Sequence, residues 1–490
     1  MKNNENVFGY DRIYIVLILF LIICLPINSA YAQSKTVTYK PTVSSLKKHK
    51  LPAWYNNAKL GIFIHWGLYS VPAWAPVRGQ MGKLPRNEFF KYNPYAEWYL
   101  NSMRIKGSPT QKHEYETYGK NFNYYDFAKT FDKEIQKWNP KKMADLFKSV
   151  HARYVVLTTK HHDGFTLWPS STLNPYLPHG ERHASRDLVG ELAKAVRADG
   201  MRMGLYYSGG FDWSFKPVVI HNSTTFKEAT PQTQQYANYA DAQWEELIHR
   251  YKPAILWNDI TYPKKGDALK IFADFYNTVP DGVIDNRWNR PVYDFTTPEY
   301  AKYNKITKKK WEATRGIAYS FGYNQNSGPK QLLTVNHLVD MFVDIVSKNG
   351  NLLLDVGPKA DGTIPKLQVE RLKGLGNWLG INGEAIFGTR PWVEAEGKTD
   401  GGDRIRFTYK NGAVYAILLD TPKSSEVKIK SLMAQKGTQM RLFEKGGSIK
   451  LKWNQHGDDI WIHLPHNLPD SPAYTIKMDP QPSALIKKKK

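Results

Sequence analysis

Short apolar runs recur along the chain from about residue 51 to residue 388, and each turns polar at its C-terminal end. They are Leu60-Gly61-Ile62-Phe63-Ile64 before His65-Trp66, Tyr154-Val155-Val156-Leu157 before Lys160-His161-His162-Asp163, Met203-Gly204-Leu205-Tyr206-Tyr207 before Ser208, Ala254-Ile255-Leu256-Trp257 before Asn258-Asp259, and Gly282-Val283-Ile284 before Asp285-Asn286-Arg287. Runs of this length without apolar–polar alternation predict strands buried on both faces, the signature of a parallel sheet. Amphipathic stretches separate them, at 140–150, 187–200, 236–251, 268–279 and 333–348. In the stretch 187–200, Leu188, Leu192 and Val196 recur at helical spacing and Gly200 supplies a stop. Strand–helix alternation implies right-handed crossovers. At this length it predicts an α/β fold, a (β/α)8 TIM-like barrel over 33–390, whose strand tips share one face and hold the site. No Gly-x-Gly-x-x-Gly follows the first strand, which argues against a dinucleotide site.

Two inserts interrupt the alternation, at 72–127 and 213–235. Loops of this length over a barrel mouth are more often functional than idle. From about Pro391 the pattern changes to short, partly alternating runs separated by Gly, Asn or Asp, among them 404–409, 413–419, 426–429, 439–442, 449–453, 459–464 and 473–478. These predict a C-terminal antiparallel β-sandwich over 391–490 that ends in the basic tail Lys487 to Lys490.

The N-terminus reads as an address. Arg12 precedes the apolar run 13–25, Pro26 ends it, and Ala30-Tyr31-Ala32 supplies a small-x-small cleavage site. This is the layout of a secretory signal peptide over 1–32, and the run is short for the competing reading, a membrane anchor. The expectation is an exported protein, periplasmic or secreted, with no stable membrane anchor after cleavage. Cys24, the only cysteine, falls inside the leader, so the mature chain would have no disulfide and no catalytic thiol.

The 490 residues carry a formal net charge of +23, which raises nucleic acid as a partner. Apart from Lys308-Lys309-Lys310 and the tail, however, the basic residues are scattered, and no nucleic-acid-binding motif accompanies them. Acidic surfaces or glycans suit an exported basic protein better. Aromatic residues make up 13% of the chain, including 15 Trp and 30 Tyr, enough to line a sugar site as well as to fill a core.

A pocket of Trp, Tyr, His, Arg, Asp and Glu at strand tips suits a sugar: rings cover its apolar faces and polar groups take its hydroxyls. Hydrolysis of a glycoside calls for two carboxyl groups beside the anomeric carbon. Asp259 emerges where its strand stops and is the candidate nucleophile; the alternative is an ordinary helix-capping aspartate. Glu299 and Glu312 compete as the general acid, Glu312 having a second reading as an ion-pair partner of Arg315. His161, His162 and Asp163 invite a metal reading, but neighbouring strand residues point to opposite faces and no His-x-x-His or Cys-rich set supports it. No metal and no cofactor are expected. A Gly-x-Ser-x-Gly elbow is also missing, which argues against a serine nucleophile.

Taken together, the ordered segments Lys59 to Gly67, Glu97-Trp98-Tyr99, Thr158 to Phe165, Gly204 to Ser208, Leu256 to Asp259, Asn286-Arg287-Trp288, Ser320 to Tyr323 and Gly350 to Pro358 resemble those of an exported bacterial α-L-fucosidase of glycoside hydrolase family 29. The resemblance implies a retaining exo-α-L-fucosidase that works through a covalent fucosyl-enzyme intermediate. Its substrate would be a fucosylated oligosaccharide or glycoconjugate, and a homo-oligomer is compatible with it. The resemblance places the nucleophile at Asp259 and the acid/base at Glu299, with Glu312 still a competitor. It also places His65, Glu97, Trp98, His161, His162, Tyr206, Trp257, Arg287 and Phe321 against the sugar. One departure is Asp355, where Asn is usual in the run Asn351-Leu352-Leu353-Leu354-Asp355-Val356-Gly357-Pro358. Two other readings compete with this one: a non-catalytic fucose lectin on a degenerate barrel, and a polyanion-binding protein driven by net charge.

Overall fold

The computed structural model describes residues 37–80, 83–178, 180 and 182–484, so the expected leader at 1–32 lies outside the described residues. Seven strands, β1 (Leu60–Ile64), β2 (Tyr154–Lys160), β3 (Arg202–Tyr207), β4 (Ile255–Asn258), β5 (Val283–Ile284), β6 (Trp311–Gly316) and β7 (Gly350–Val356), form one sheet in the order β5-β4-β3-β2-β1-β7-β6. All neighbours in it run parallel. The sheet is curled and has seven regular strands rather than the eight expected of the barrel. Between its edges lies the segment 294–299, bridged to the β5 side through Asp285 and Phe295 and to β6 through Thr296–Trp311 and Glu299–Thr314. A regular strand does not form there because Pro298 has no N–H to give to a ladder.

Alternation along the strands accounts for their uninterrupted hydrophobicity. Phe63, Tyr154, Val156, Tyr206, Ile255, Trp257, Val283 and Leu353 form one buried cluster inside the curl. The residues between them, such as Ile62, Ile64, Val155, Leu157, Leu205, Leu256, Leu352 and Leu354, join Leu188, Leu192, Val196, Leu247, Phe272 and Phe342 of the surrounding helices. Each strand is thus apolar on both faces. Gly61 is required by this arrangement, because a Cβ there would lie 2.2 Å from the Tyr154 ring, which fills the interior opposite it.

Helices occupy each of the amphipathic stretches, at Pro140–Ser149, Leu188–Ala198, Gln234–Tyr251, Ala268–Thr278 and Val335–Ser347, and others, such as Phe127–Ile135 and Lys366–Asn382, lie outside them. The starts of the first five are side-chain capped by Asn139, Asp187, Thr233, Asp267 and Thr334. Gly200, at φ +78°, follows the second of them in the left-handed conformation that glycine accepts most readily.

Beyond the parallel sheet come antiparallel sheets. One has six strands, including β8 (Arg390–Lys398), β9 (Arg404–Lys410), β10 (Ala413–Leu418) and a later strand Tyr474–Asp479; a second has three, Glu426–Ile429, Lys452–His456 and Asp459–His463. The two share an apolar core of Ile405, Phe407, Val414, Met440 and Ile476 from the first and Val427, Ile429, Ile460 and Ile462 from the second. The run 449–453 does not form one strand. It divides at the buried Leu451, with Gly447–Lys450 in the first sheet and Lys452–His456 in the second. Arg406 reaches back to Asp344, and Trp378 Nε1 donates to Ala473 O at 3.0 Å, tying this part to the helices of the first. Among the described residues no helix is long and apolar enough to cross a membrane.

At the opposite end of the sheet from the polar tips, Lys59 and Lys310 precede β1 and β6, both buried and both with Nζ lacking a hydrogen-bond partner. Burial, with Arg390 adding, pushes Lys59 down to about 7. Burial, followed by Lys59 and Arg390, drives Lys310 well below the usual lysine range. A lysine depressed in the folded state costs stability as pH falls below its unfolded value of ~10.4. Lys310→Met should therefore raise stability at pH 7 by on the order of 2 kcal/mol, with the gain shrinking toward pH 10, as read from thermal melts at the two pH values.

Candidate active site

The polar ends of the parallel strands converge on a cavity of about 190 Å³. Its wall takes His65 from the β1 tip, His161 and His162 from the β2 tip, Tyr206 from β3, Trp257 and Asp259 from β4 and its tip, Arg287 from beyond β5, Glu299 from the bridging segment, and Phe321 from beyond β6. Glu97 and Trp98 enter from the insert 72–127. These eleven residues, expected from sequence to form one site, are brought together. The inserts contribute more than the sequence revealed: Phe89, Phe90 and Tyr95 from the first and Phe226 from the second also line the cavity. Tyr95 stands two residues before Glu97, so the signal was the insert itself rather than a motif.

Two carboxylates share one guanidinium. Arg287 donates from Nη1 to Asp259 Oδ1 at 2.8 Å and from Nη2 to Glu299 Oε2 at 3.1 Å. Asp259 also accepts from the Tyr206 hydroxyl at 2.8 Å and from the Ile260 N–H at 2.8 Å. Burial alone would push the Asp259 carboxyl up, but Arg287 and Tyr206 outweigh it and hold the group below the usual carboxylate range. Its side chain is 11% exposed, whereas that of Glu299 is 32% exposed and accepts from the Tyr95 hydroxyl at 3.2 Å. The more deeply set group is thus held as an anion and the other stands nearer solvent. The residues after them, Ile260 at φ 68° and Tyr300 at φ 47°, are non-glycine residues in the left-handed region. For a β-branched or bulky side chain this is strained backbone, of the kind that concentrates at functional sites.

A bulge explains how two adjacent histidines reach the same cavity. Thr158 pairs with Tyr206 and Lys160 with Tyr207, so β2 advances two residues while β3 advances one, and alternation is broken just before His161 and His162. Lys160 instead turns away to a buried ion pair with Asp212 at 2.8 Å. His162 Nδ1 lies 2.6 Å from Ser208 Oγ, whose own hydroxyl donates to Phe211 O at 2.7 Å. Nδ1 of His162 is therefore the donor and its Nε2 is an acceptor. His65 Nδ1 lies 2.6 Å from Asp355 Oδ1. Glu97 accepts from the Gly322 N–H at 2.8 Å, and burial pushes its carboxyl up to about 8. Among the described residues no three His, Cys, Asp or Glu side chains are grouped to hold a metal ion.

Glu312 does not line the cavity. It is fully buried on β6 and accepts from the Tyr55 hydroxyl at 2.8 Å, the Tyr154 hydroxyl at 2.5 Å and Trp257 Nε1 at 3.1 Å. Nor is it paired with Arg315, which turns to Gly316 O and the Met341 sulfur. Alternation decides this: Glu312 points inside the curl and Arg315 outside it, toward the helix Val335–Ser347.

Comparison with known proteins matches residues 26–384 to the α-L-fucosidase family and residues 400–479 to the α-L-fucosidase C-terminal domain. The α-L-fucosidase of Dictyostelium discoideum is 32% identical, over 90% of this chain and 94% of its own length. The Thermotoga maritima α-fucosidase in complex with fucose is 45% identical with a TM-score of 0.82, over 90% of this chain and 100% of that one. An α-L-fucosynthase of the same organism, in complex with alpha-L-Fuc-(1-2)-beta-L-Fuc-N3, is 46% identical with a TM-score of 0.84, over 90% and 99%.

Glu312 serves as a buried acceptor for three donors, a role an amide cannot fill without turning its own N–H2 toward one of them. Glu312→Gln should cost about 2 kcal/mol, read as a lower midpoint in denaturant unfolding.

Proposed function

The chain belongs to the α-L-fucosidase family and is a glycoside hydrolase, and we propose that it removes terminal α-linked L-fucose from oligosaccharides or glycoconjugates with retention of configuration. The observation that carries this reading is the sharing of Arg287 by Asp259 and Glu299 at one cavity wall. A retaining mechanism needs its two carboxyl groups ~5–5.5 Å apart, with one an anion poised to attack.

In the first step Asp259 attacks C1 of the fucose ring while Glu299 protonates the glycosidic oxygen, so that the aglycone leaves and a fucosyl ester forms on Asp259. In the second, Glu299 takes a proton from water, the water attacks C1, and Asp259 is released as the carboxylate. Arg287 and Tyr206 stabilise the charge that returns to Asp259 as the ester breaks. Glu312 is set aside as the acid because its carboxyl lies in the interior core, with Trp257 between it and the cavity.

Recognition follows from the wall. His65, His161, His162 and Glu97 offer polar groups to hydroxyls, and Trp98, Trp257 and Phe321 cover apolar faces, including the C5 methyl that distinguishes fucose from galactose. A lectin would use the same contacts but has no need of an aspartate held ionised by an arginine and a tyrosine. Export through a cleaved leader at 1–32, a division near residue 390, and closure of the curled sheet into an eight-stave barrel through 294–299 belong to the same proposal. They rest on the apolar run and Ala30-Tyr31-Ala32, on the change of pattern at Pro391, and on the isolated bridges.

Asp259→Gly should lower kcat on an aryl α-L-fucoside by at least about 10³-fold, and azide should restore part of it by occupying the vacated place. Turnover near the wild-type level would overturn the assignment. Glu299→Ala should lower kcat/KM, which reports the first step, about 10²-fold or more for substrates with poor leaving groups while barely changing it for activated aryl leaving groups. A uniform loss across leaving groups would remove Glu299 from the acid role.

A further inference from the structure

The one departure noted in the family run, Asp355, lies directly behind the sugar site. It sits on β7 in register with Phe63 of β1 and is 1% exposed. Its Oδ1 is 2.6 Å from His65 Nδ1, and its Oδ2 is buried with no hydrogen-bond partner. His65 lines the cavity, packed against the rings of Phe63, His161, Tyr206 and Phe321.

We propose that Asp355 is a positioning residue for sugar recognition: its bond to Nδ1 decides whether the cavity-facing Nε2 of His65 accepts or donates a hydrogen bond. This role rests on the cavity being a fucose site. An ionised carboxylate only accepts, so Nδ1 must carry the proton and Nε2 is left bare. An amide at the same place has no such preference. Its oxygen can accept from Nδ1–H, or its N–H2 can donate to a bare Nδ1 and leave the proton on Nε2. The carboxylate removes that ambiguity, and it adds a dependence on protons. One proton added to the pair leaves Nε2 carrying N–H whether it sits on the imidazole or on Oδ1, the carboxyl oxygen whose O–H finds an acceptor in a bare Nδ1; an O–H on the unpartnered Oδ2 would find none. The group that faces the sugar then changes from acceptor to donor.

The groups facing the pair are Glu97 from the first insert, His161 from the β2 tip, Tyr206 from β3, Asp259 from the β4 tip, Arg287 from beyond β5 and Tyr69 from the turn after β1. Burial, with Glu97 adding, pushes the Asp355 carboxyl up, while burial and then His161 push His65 down. Both directions disfavour an imidazolium–carboxylate pair, so the added proton rests on the carboxyl. His162, held by Ser208, already presents an acceptor nitrogen beside His65. The deprotonated pair gives the sugar two such acceptors, and protonation withdraws one.

Asp355→Asn in the full chain tests this through the pH dependence of KM on an aryl α-L-fucoside. In the wild type KM should rise on the acid side by about tenfold, the worth of one mismatched hydrogen bond, with kcat changing less. In the variant that rise should flatten, with KM already elevated at the wild-type optimum. A variant that keeps the wild-type KM–pH curve overturns the proposal. If the variant does not melt cooperatively, calorimetry of L-fucose binding to the wild type in two buffers of different ionisation enthalpy supplies the second measurement. Net proton release on the acid side is expected, and zero exchange overturns the proposal. A wild-type protein that hydrolyses no α-L-fucoside would instead sink the fucosidase reading, so the two failures are distinguishable.

Discussion

The structure depends on one constraint: its parallel strands are buried on both faces, so a polar side chain within a strand must be satisfied by interior partners, as Glu312 is, and the rest emerge where the strands stop. That confines His65, His161, His162, Asp259 and the flanking Arg287 to one end of the sheet. It also explains why the runs read as nearly unbroken apolar stretches, since the interior row and the helix-facing row are each filled with large side chains. The geometry of the cavity wall is in this sense a by-product of sheet burial. The polar residues are adjacent, and a single guanidinium donates to two carboxylates.

Much of this was legible in the chain. Five of the seven parallel strands show as unbroken apolar runs and five of the helices in their periodicity, and Asp187, Thr233, Asp267 and Thr334 mark helix starts through capping chemistry that needs no tertiary information. The bridging segment was not legible as an irregular stave, because its character comes from Pro298 and from a neighbour on each side rather than from any local pattern. The division of the run 449–453 was hidden for a similar reason: Leu451 passes between two sheets, and both halves look alike in sequence.

The site divides along the same line. Asp259 could be read from its place at the end of an apolar run. Glu299 and Glu312 could not be separated by spacing, and what separates them is orientation, since alternation on β6 turns Glu312 inward to Tyr55, Tyr154 and Trp257. The presence of both His161 and His162 at the cavity depends on a bulge between Thr158 and Lys160 that no pattern of residue types announces. Asp355 was visible as an unusual residue, but its meaning depends on a partner 290 positions away in the chain.

Trp257 lines the cavity, packed against Tyr206 and Arg287, and gives its Nε1 to Glu312, which is itself held by two tyrosine hydroxyls of the interior. The platform a sugar would rest on is therefore braced from below by side chains no ligand can touch. In such a scaffold, tuning of catalysis and tuning of the packed interior draw on the same set of residues. Drift at Tyr55 or Tyr154, which a surface survey would file under folding, would register as a tilt in the floor beneath the reacting ring.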